Sequence, residues 1–226
     1  VDLSFNPGTN LYSVNVLANF VRTVVVLPDG RIMAGGSFNR AVGSRRDYLA
    51  RFWPDGSLDT GLGQAPLTGP SGTVQTLAPL PGGGLMVAGS FTNFNGLQIT
   101  NLARLLPDGE LDESFRPQPV SYYNDSGFHA LSVDSAGRIF AIFSSTDGVN
   151  LSNSRIFRYD ADGQIETNYI TPILQRFQSA VGISIIVTLA DGGAYIGGTF
   201  ETVDGVQHRR VALLLAHLGV GEARLV

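Results

Sequence analysis

The chain writes the same two phrases four times over, and a chain that repeats at a fixed interval folds by stacking copies of one unit. The first phrase is "LPDGRIMAGGSF" at Leu27 to Phe38, returning as "LPGGGLMVAGSF" from Leu80, "DSAGRIFAIFSS" from Asp134 and "LADGGAYIGGTF" from Leu189. The second is "ARFWPDGSLD" from Ala50, returning as "ARLLPDGELD" from Ala103, "FRYDADGQIE" from Phe157 and the degraded "ALLLAHLGVG" from Ala212. The matching glycines Gly30, Gly83, Gly137 and Gly192 lie 53, 54 and 55 residues apart. About four repeats of about 54 residues therefore fill residues 1–226, read as a single domain.

Each copy predicts four strands. "VRTVVVL", "VQTLAPL", "FHALSV" and "ISIIVTL" are apolar on both faces or nearly so, as expected of inner strands buried on both sides. A Pro-Asp-Gly turn follows, with the chemistry of a tight hairpin: Pro fixes φ, Asp tolerates the next position and Gly supplies a positive φ. The second strand carries "AGG", "VAG" or "IGG", and paired small residues inside a strand mark the close approach of another backbone. A longer polar loop leads to the third strand, and a second Pro-Asp-Gly turn leads to the fourth, "SLD" or "ELDESF". A repeated four-stranded antiparallel sheet of this size predicts an all-β fold, a β-propeller of radially packed blades. The 28 glycines and 11 prolines, spread at intervals along the chain, agree with many turns and short strands.

The phrases "PDGRIMAGGSF…YLARFWPDGSLD" and "LMVAGSFTNFNG…NLARLLPDGELDESF" resemble the delta-60 repeat family of bacterial β-propeller proteins. The resemblance covers nearly the whole chain. Copy three departs from it, with Ile142 and Phe143 where the others carry small residues and Ser145 where they carry Phe. Copy four loses the second Pro-Asp-Gly. The resemblance implies a secreted or cell-surface bacterial repeat module, and it brings no catalytic residues.

Several chemistries are excluded by absence. Cysteine is missing, and with it disulfides, thiolate metal sites and a cysteine nucleophile. Lysine is missing too, all 15 basic residues being Arg, so Schiff-base chemistry and a Walker-type phosphate loop are out. A formal net charge of −4 argues against nucleic acid, whose binding rests on neutralising phosphates. The sequence begins with Val, without a leader or an apolar run of spanning length, so membrane insertion is not expected and the chain reads as a mature product or an excised domain.

The tight turns all fall on one rim of such a blade, so the opposite rim receives the loops that differ between copies, where binding usually resides. Candidate ligand-binding residues there are Arg45, Arg46, Tyr122, Tyr123, Asn124, Asp125, His208 and Arg209, followed by Arg210. The Tyr122-Tyr123 pair reads either as one ring tucked over a blade edge and one solvated, or as a stacking platform for a sugar or peptide. His208-Arg209-Arg210 reads either as a solvated start of a strand or as an anion site. "DADGQIE" at Asp160 to Glu166 alternates carboxylates as hard-cation loops do, but in register it is the second hairpin turn, and no metal or cofactor is expected.

The function expected is a noncatalytic binding, adhesion or structural module whose ligand is a glycan or a protein. Two alternatives stand beside it. One is a propeller enzyme acting on glycans or esters. The other is a segment of a longer structural array with neighbouring repeats, in an envelope or fibre.

Two local expectations follow from the register. A three-residue loop ending in a Gly bulge places Arg51 opposite Asp59, Arg104 opposite Asp112 and Arg158 opposite Glu166, predicting three cross-strand ion pairs. The opening "VDLSF" matches "LDESF" and reads as a detached fourth strand that would close a four-bladed ring, although Asp2 would then face Leu213 and no Arg.

Overall fold

The computed structural model describes residues 11–12, 20–42, 44–62, 69–120, 127–146, 152–166, 174–175, 182–203, 205–208 and 210–214. Over these residues the chain is all-β, and its strand pairs are antiparallel. It forms two compact units, Val1–Ser114 and Phe115–Val226. The opening "VDLSF" and the expected ring closure lie outside the described residues.

In the first unit, copy one supplies β1 (Leu11–Tyr12), β2 (Val21–Val26), β3 (Ile32–Gly36), β4 (Arg40–Ala41), β5 (Ser44–Arg45) and β6 (Leu49–Phe52). Strands β2, β3 and β6 form one sheet in that order, and β1, β4 and β5 a smaller one. Copy two supplies the sheet of β7 (Val74–Pro79), β8 (Leu85–Gly89) and β9 (Leu102–Leu105). In the second unit, copy three builds a sheet from β10 (Phe128–Val133), β11 (Ile139–Thr146) and β12 (Ser152–Tyr159). Copy four follows with β13 (Leu174–Gln175), β14 (Ile183–Thr188), β15 (Ala194–Gly198), β16 (Thr202–Val203), β17 (Val206–Gln207) and β18 (Val211–Leu214). Its main sheet is β14-β15-β18 and its small one β13-β16-β17.

Turn chemistry sets this geometry. At the first turn Gly30 N donates to Leu27 O and Leu27 N to Arg31 O, a type I turn whose third loop residue sits at φ 83°. The same pair of hydrogen bonds closes the turns at Gly56, Gly83, Gly109, Gly137, Gly163 and Gly192. Asp carboxylates add Asx turns inside several of them, Asp55 Oδ1 accepting from Ser57 N at 2.8 Å and Asp160 Oδ1 from Gln164 N at 2.8 Å.

The fourth strand differs from expectation. After the second turn the chain makes one isolated bridge, Phe52 to Leu58, Leu105 to Leu111 or Tyr159 to Ile165, and the described sheets hold three strands each. In copies one and two the cause is local. Asp59 Oδ1 accepts the N–H of Gly61, and Asp112 Oδ1 that of Ser114, which turns the chain out of the ladder.

The paired small residues behave as their pattern demands. A register shift between Val21 and Thr23 turns the Phe20 carbonyl towards β3, where it accepts the N–H of Ser37, and a Cβ at Gly36 would collide with that oxygen. Gly89 meets the Thr73 carbonyl and Gly198 the Gly182 carbonyl in the same way. In copy three Phe143 stands at that place, and β11 runs on for 8 residues in unbroken register with β12, from Ile139 against Tyr159 to Thr146 against Ser152. Phe143 packs edge-on against Phe128 and Phe157, with ring centroids 5.3 and 6.3 Å away.

All three expected ion pairs form. Arg51 Nε lies 2.6 Å from Asp59 Oδ2, Arg104 Nε 2.7 Å from Asp112 Oδ2, and Arg158 Nη2 2.5 Å from Glu166 Oε2. The first is no surface pair, since its side chains are only 4% and 5% exposed, and Arg51 Nη1 also donates to the carbonyl of Asp108 in copy two at 2.6 Å. Burial of the inner strands needs correction as well. β7 and β10 are largely buried, but Val21, Val24 and Val26 of β2 and Ile185 and Val187 of β14 are exposed. Each of these two strands is covered on one face only.

Candidate functional site

Each sheet has two unlike ends. At one end the two tight turns of a copy lie side by side: a Cβ on Gly30 would sit 3.4 Å from Pro54, and one on Gly83 3.8 Å from Pro107. The opposite end carries the segments that differ in sequence between copies. In copies one, two and four they share one plan. An incoming stretch pairs with the first arm of a small hairpin: β1 with β4, Pro70 with Phe94, and β13 with β16. The second arm is β5, Leu97 or β17.

The hairpin tip in copy two is Asn95-Gly96, with φ of 51° and 81°, the two positive values of a type I′ turn. Asn-Gly is the strongest short hairpin signal a sequence offers, and the polar-loop reading passed over it along with Val42-Gly43 and Asp204-Gly205 at the same repeat position. Val42 sits at φ 47°, a backbone region that β-branched residues avoid.

The candidate residues separate on this frame. Arg45 lies on β5, its side chain 69% exposed, and its Nη2 is 2.9 Å from Asp47 Oδ2. Arg46 is half-buried and its Nη1 donates to the Arg45 carbonyl at 2.8 Å. His208 is buried, at the end of β17, with its backbone N–H donating to Glu201 O. Arg46, Ile99 and His208 occupy one repeat position, and Ile99 is a core residue in copy two. Position 208 therefore points into the base of the hairpin more than out to a ligand. Arg210 is exposed, in the left-handed region at φ 74° where Tyr48 and Asn101 also sit at 65°. Tyr122, Tyr123, Asn124, Asp125 and Arg209 lie outside the described residues.

Sequence reasoning also missed Arg40. In the small sheet of copy one Arg40 stands directly opposite Arg45, and Arg46 follows. Like charges in directly opposed positions repel. Asp47 is bonded to Arg45.

Carboxylates at the turn end are committed to the protein. Burial alone would raise the pKa of Asp59, but the Gly61 N–H and the Arg51 guanidinium outweigh it and hold the group below its ordinary value. Asp112 is likewise held low against burial by Ser114 and Arg104. Asp160 accepts backbone N–H groups of its own turn and Glu166 pairs with Arg158, so two of the three carboxylates of "DADGQIE" have protein partners. Among the described residues no group of three or more His, Asp or Glu side chains is placed to hold a metal ion. No helix among them is long and apolar enough to cross a membrane.

A family described as "Domain of unknown function (DUF5122) beta-propeller" matches residues 27–62 and 83–115. Both matched stretches lie in copies one and two. The matched stretches span the first turn, the second strand, the third strand and the second turn of copy one, and all but the start of the first turn in copy two. No curated protein matches the chain in sequence. Among solved structures, the extracellular domain of the BT4673 system of B. thetaiotaomicron aligns at 12% identity with a TM-score of 0.43, over 87% of this chain and 21% of that one. A second structure of the BT4673 extracellular domain, described as part of a hybrid two-component system, aligns at 13% identity with a TM-score of 0.42. A protein of unknown function from Dyadobacter fermentans aligns at 14% with a TM-score of 0.44, over 85% of this chain and 59% of that one. The chain thus spans about a fifth of the BT4673 domain, 21% of its length.

Proposed function

We propose that the chain is a noncatalytic β-propeller module, secreted or held at the bacterial surface, whose four copies act as blades and whose hairpin end binds an acidic glycan or protein. The observation that carries this reading is the placement of Arg40 opposite Arg45, with Arg46 beside them, in a chain whose formal net charge is −4. Asp47 already bonds Arg45, and a further anion would offset the like charge that remains among the three guanidinium groups. Carboxylate and sulfate groups suit the planar guanidinium fork. Tyr122 and Tyr123 are the proposed aromatic anchors, with Asn124 and Asp125 orienting hydroxyl groups and Arg209 adding charge. Tyrosine offers a large contact area for little ordering entropy.

The test is an array of acidic and neutral glycans and of surface proteins, followed by titration of any ligand found. Replacing Tyr122 and Tyr123 together by Ala, or Arg40 and Arg45 together by Ser, is expected to cost about 2 kcal/mol or more. Asp29→Ala at the turn end leaves affinity unchanged. Binding that survives both double changes, or that is lost only on changing Asp29, overturns the reading.

A further inference from the structure

The two-residue hairpin of copy one holds its three arginines in a defined order. Ala41 and Ser44 flank the tip, Arg40 stands opposite Arg45, and the backbone N–H of Arg46 donates to the Asn39 carbonyl at 3.1 Å. Opposed pairs in an antiparallel ladder alternate between those that exchange backbone hydrogen bonds and those that do not. The bond at Arg46 therefore makes the Arg40–Arg45 row the second kind, in which side chains stand closest.

The hairpin itself does not ask for these charges. The same row is Thr202 opposite Gln207 in copy four and, by the register of the Phe94–Leu97 bridge, Asn93 opposite Gln98 in copy two. A row that is uncharged in two copies and doubly cationic in one answers to something other than folding.

The three guanidinium groups are not equally committed. Asp47 Oδ2 lies 2.9 Å from both Nε and Nη2 of Arg45, which fills the side edge of that fork and fixes its direction. The end edge, Nη1 with Nη2, is left open on a side chain that is 69% exposed. Arg40 is half-buried, and its guanidinium has no ion pair or hydrogen bond among the described residues. Arg46 turns its Nη1 onto the Arg45 carbonyl at 2.8 Å, and its Nε is buried without a partner among the described residues. There Asp47 is the one carboxylate paired with these arginines, so three guanidinium groups less one carboxylate leave two positive charges.

Resting on the reading that the hairpin end of copy one binds an acidic ligand, we infer that this site takes the terminal phosphate monoester of a glycan. A carboxylate has two coplanar oxygens and one charge, which a single fork satisfies. A phosphate monoester has three terminal oxygens in different directions and carries about −1.5 to −2 charges near neutral pH. Two of its oxygens suit the end edge of Arg45 and the third suits Arg40, and its charge matches what Asp47 leaves over. A sulfate ester has the same shape and a single charge. Strands β4 and β5 are two residues each, so the row is one pair wide, room for a terminal group and not for a run of peptide.

The test follows the arginine Nε–Hε NMR signals of the 226-residue chain at low salt while glucose 6-phosphate, glucose 6-sulfate, glucuronate or glucose is added. Glucose 6-phosphate is expected to shift the Arg40 and Arg45 signals saturably and to bind about tenfold tighter than the two singly charged sugars, with no shift from glucose. Arg40→Ser and Arg45→Ser are each expected to weaken glucose 6-phosphate by about tenfold, with folding checked by circular dichroism. The comparison among sugars uses the unaltered chain and decides the matter even where a variant does not fold. Equal affinity for the three acidic sugars, lost on changing either arginine, overturns the phosphate assignment and leaves the wider acidic-ligand reading standing. No saturable shift with glucose 6-phosphate, or binding that survives both changes, overturns the inference, and the wider reading falls with it only if polymeric acidic glycans and proteins fail as well. A phosphoserine peptide that binds as tightly as glucose 6-phosphate moves the ligand to a protein and overturns the glycan.

Discussion

Copies one and three perform the same fold with opposite residues at one point. In copy one the second strand reaches Gly36, comes close against the Phe20 carbonyl, which accepts the Ser37 N–H, and breaks off into a small hairpin. In copy three Phe143 stands there, and β11 and β12 continue side by side past the break. The comparison teaches that the glycine does more than permit a close approach. It decides where a copy stops being a sheet and starts presenting a hairpin, as copies one, two and four do.

The largest expected effect comes from forcing copy three to behave like copy one. Phe143→Gly removes a fully buried ring packed on Phe128 and Phe157 and is expected to cost about 3–5 kcal/mol, read from the denaturant midpoint by circular dichroism. A cost under about 1 kcal/mol would mean that the aromatic cluster does not hold the long hairpin.

The ion pairs extend the comparison to copy two. Arg51→Met leaves the buried Asp59 carboxylate with only Arg31, 3.3 Å away, and the Gly61 N–H, and frees the Asp108 carbonyl, an expected loss of about 2–3 kcal/mol, followed through the single tryptophan, Trp53, which lies in the same unit. Arg104→Met, at the same repeat position but with side chains 23% and 12% exposed, costs about 1 kcal/mol. Equal costs would show that burial does not separate the two pairs.

Working in the other direction, Gly36→Ala in copy one drives a methyl against the Phe20 carbonyl and is expected to destabilise by about 1–3 kcal/mol. Gly96→Ala, where a Cβ meets nothing within 4 Å, isolates the cost of the positive φ alone and is expected to lower the midpoint by less.

At the hairpin tip a gain is expected. Val42 is β-branched and 42% exposed at φ 47°, whereas copy two places Asn95 there. Val42→Asn is expected to stabilise the first unit by about 1 kcal/mol, seen as a higher midpoint in Trp53 fluorescence.

The smallest effect is a pH dependence confined to the second unit. Burial pushes the His129 pKa down, partly offset by its bond to the Ile183 carbonyl. A histidine with a depressed folded pKa contributes stability above its unfolded value of about 6.5, and that contribution is lost as pH falls through the folded pKa. The midpoint of the second unit therefore drops on acidification below about pH 6.5 and flattens in His129→Gln. Asp59 and Asp112, also held low, add a loss in the first unit only below about pH 4. An identical acid response in wild type and His129→Gln would remove His129 from this account.

Much of the fold was legible because its determinants are local. The type I turns with their Gly bulges need only three or four adjacent residues, and the pairs Arg51–Asp59, Arg104–Asp112 and Arg158–Glu166 follow once the loop length is known. The Gly35-Gly36 pattern announced a close backbone approach, and the Phe20 carbonyl supplies it. Of the candidate site residues, Arg45 stands exposed where a rim residue belongs, and His208 lies buried at a position where copy two has Ile99. The Arg40–Arg45 opposition escaped notice because it depends on a two-residue hairpin whose Val42-Gly43 tip does not look like one.

By itself, then, the sequence determined the repeat, the turns and the charge pairing across them, since each is a property of residues within about ten positions on one hairpin. The tertiary structure alone decided which faces are covered. Val24 and Leu77 are equivalent apolar residues on equivalent strands, yet one is open and the other buried, because burial belongs to the neighbouring copy that packs against a strand and not to the strand. The same holds for Arg51 and Arg104, whose identical local chemistry becomes a buried network in one copy and a half-open pair in the next.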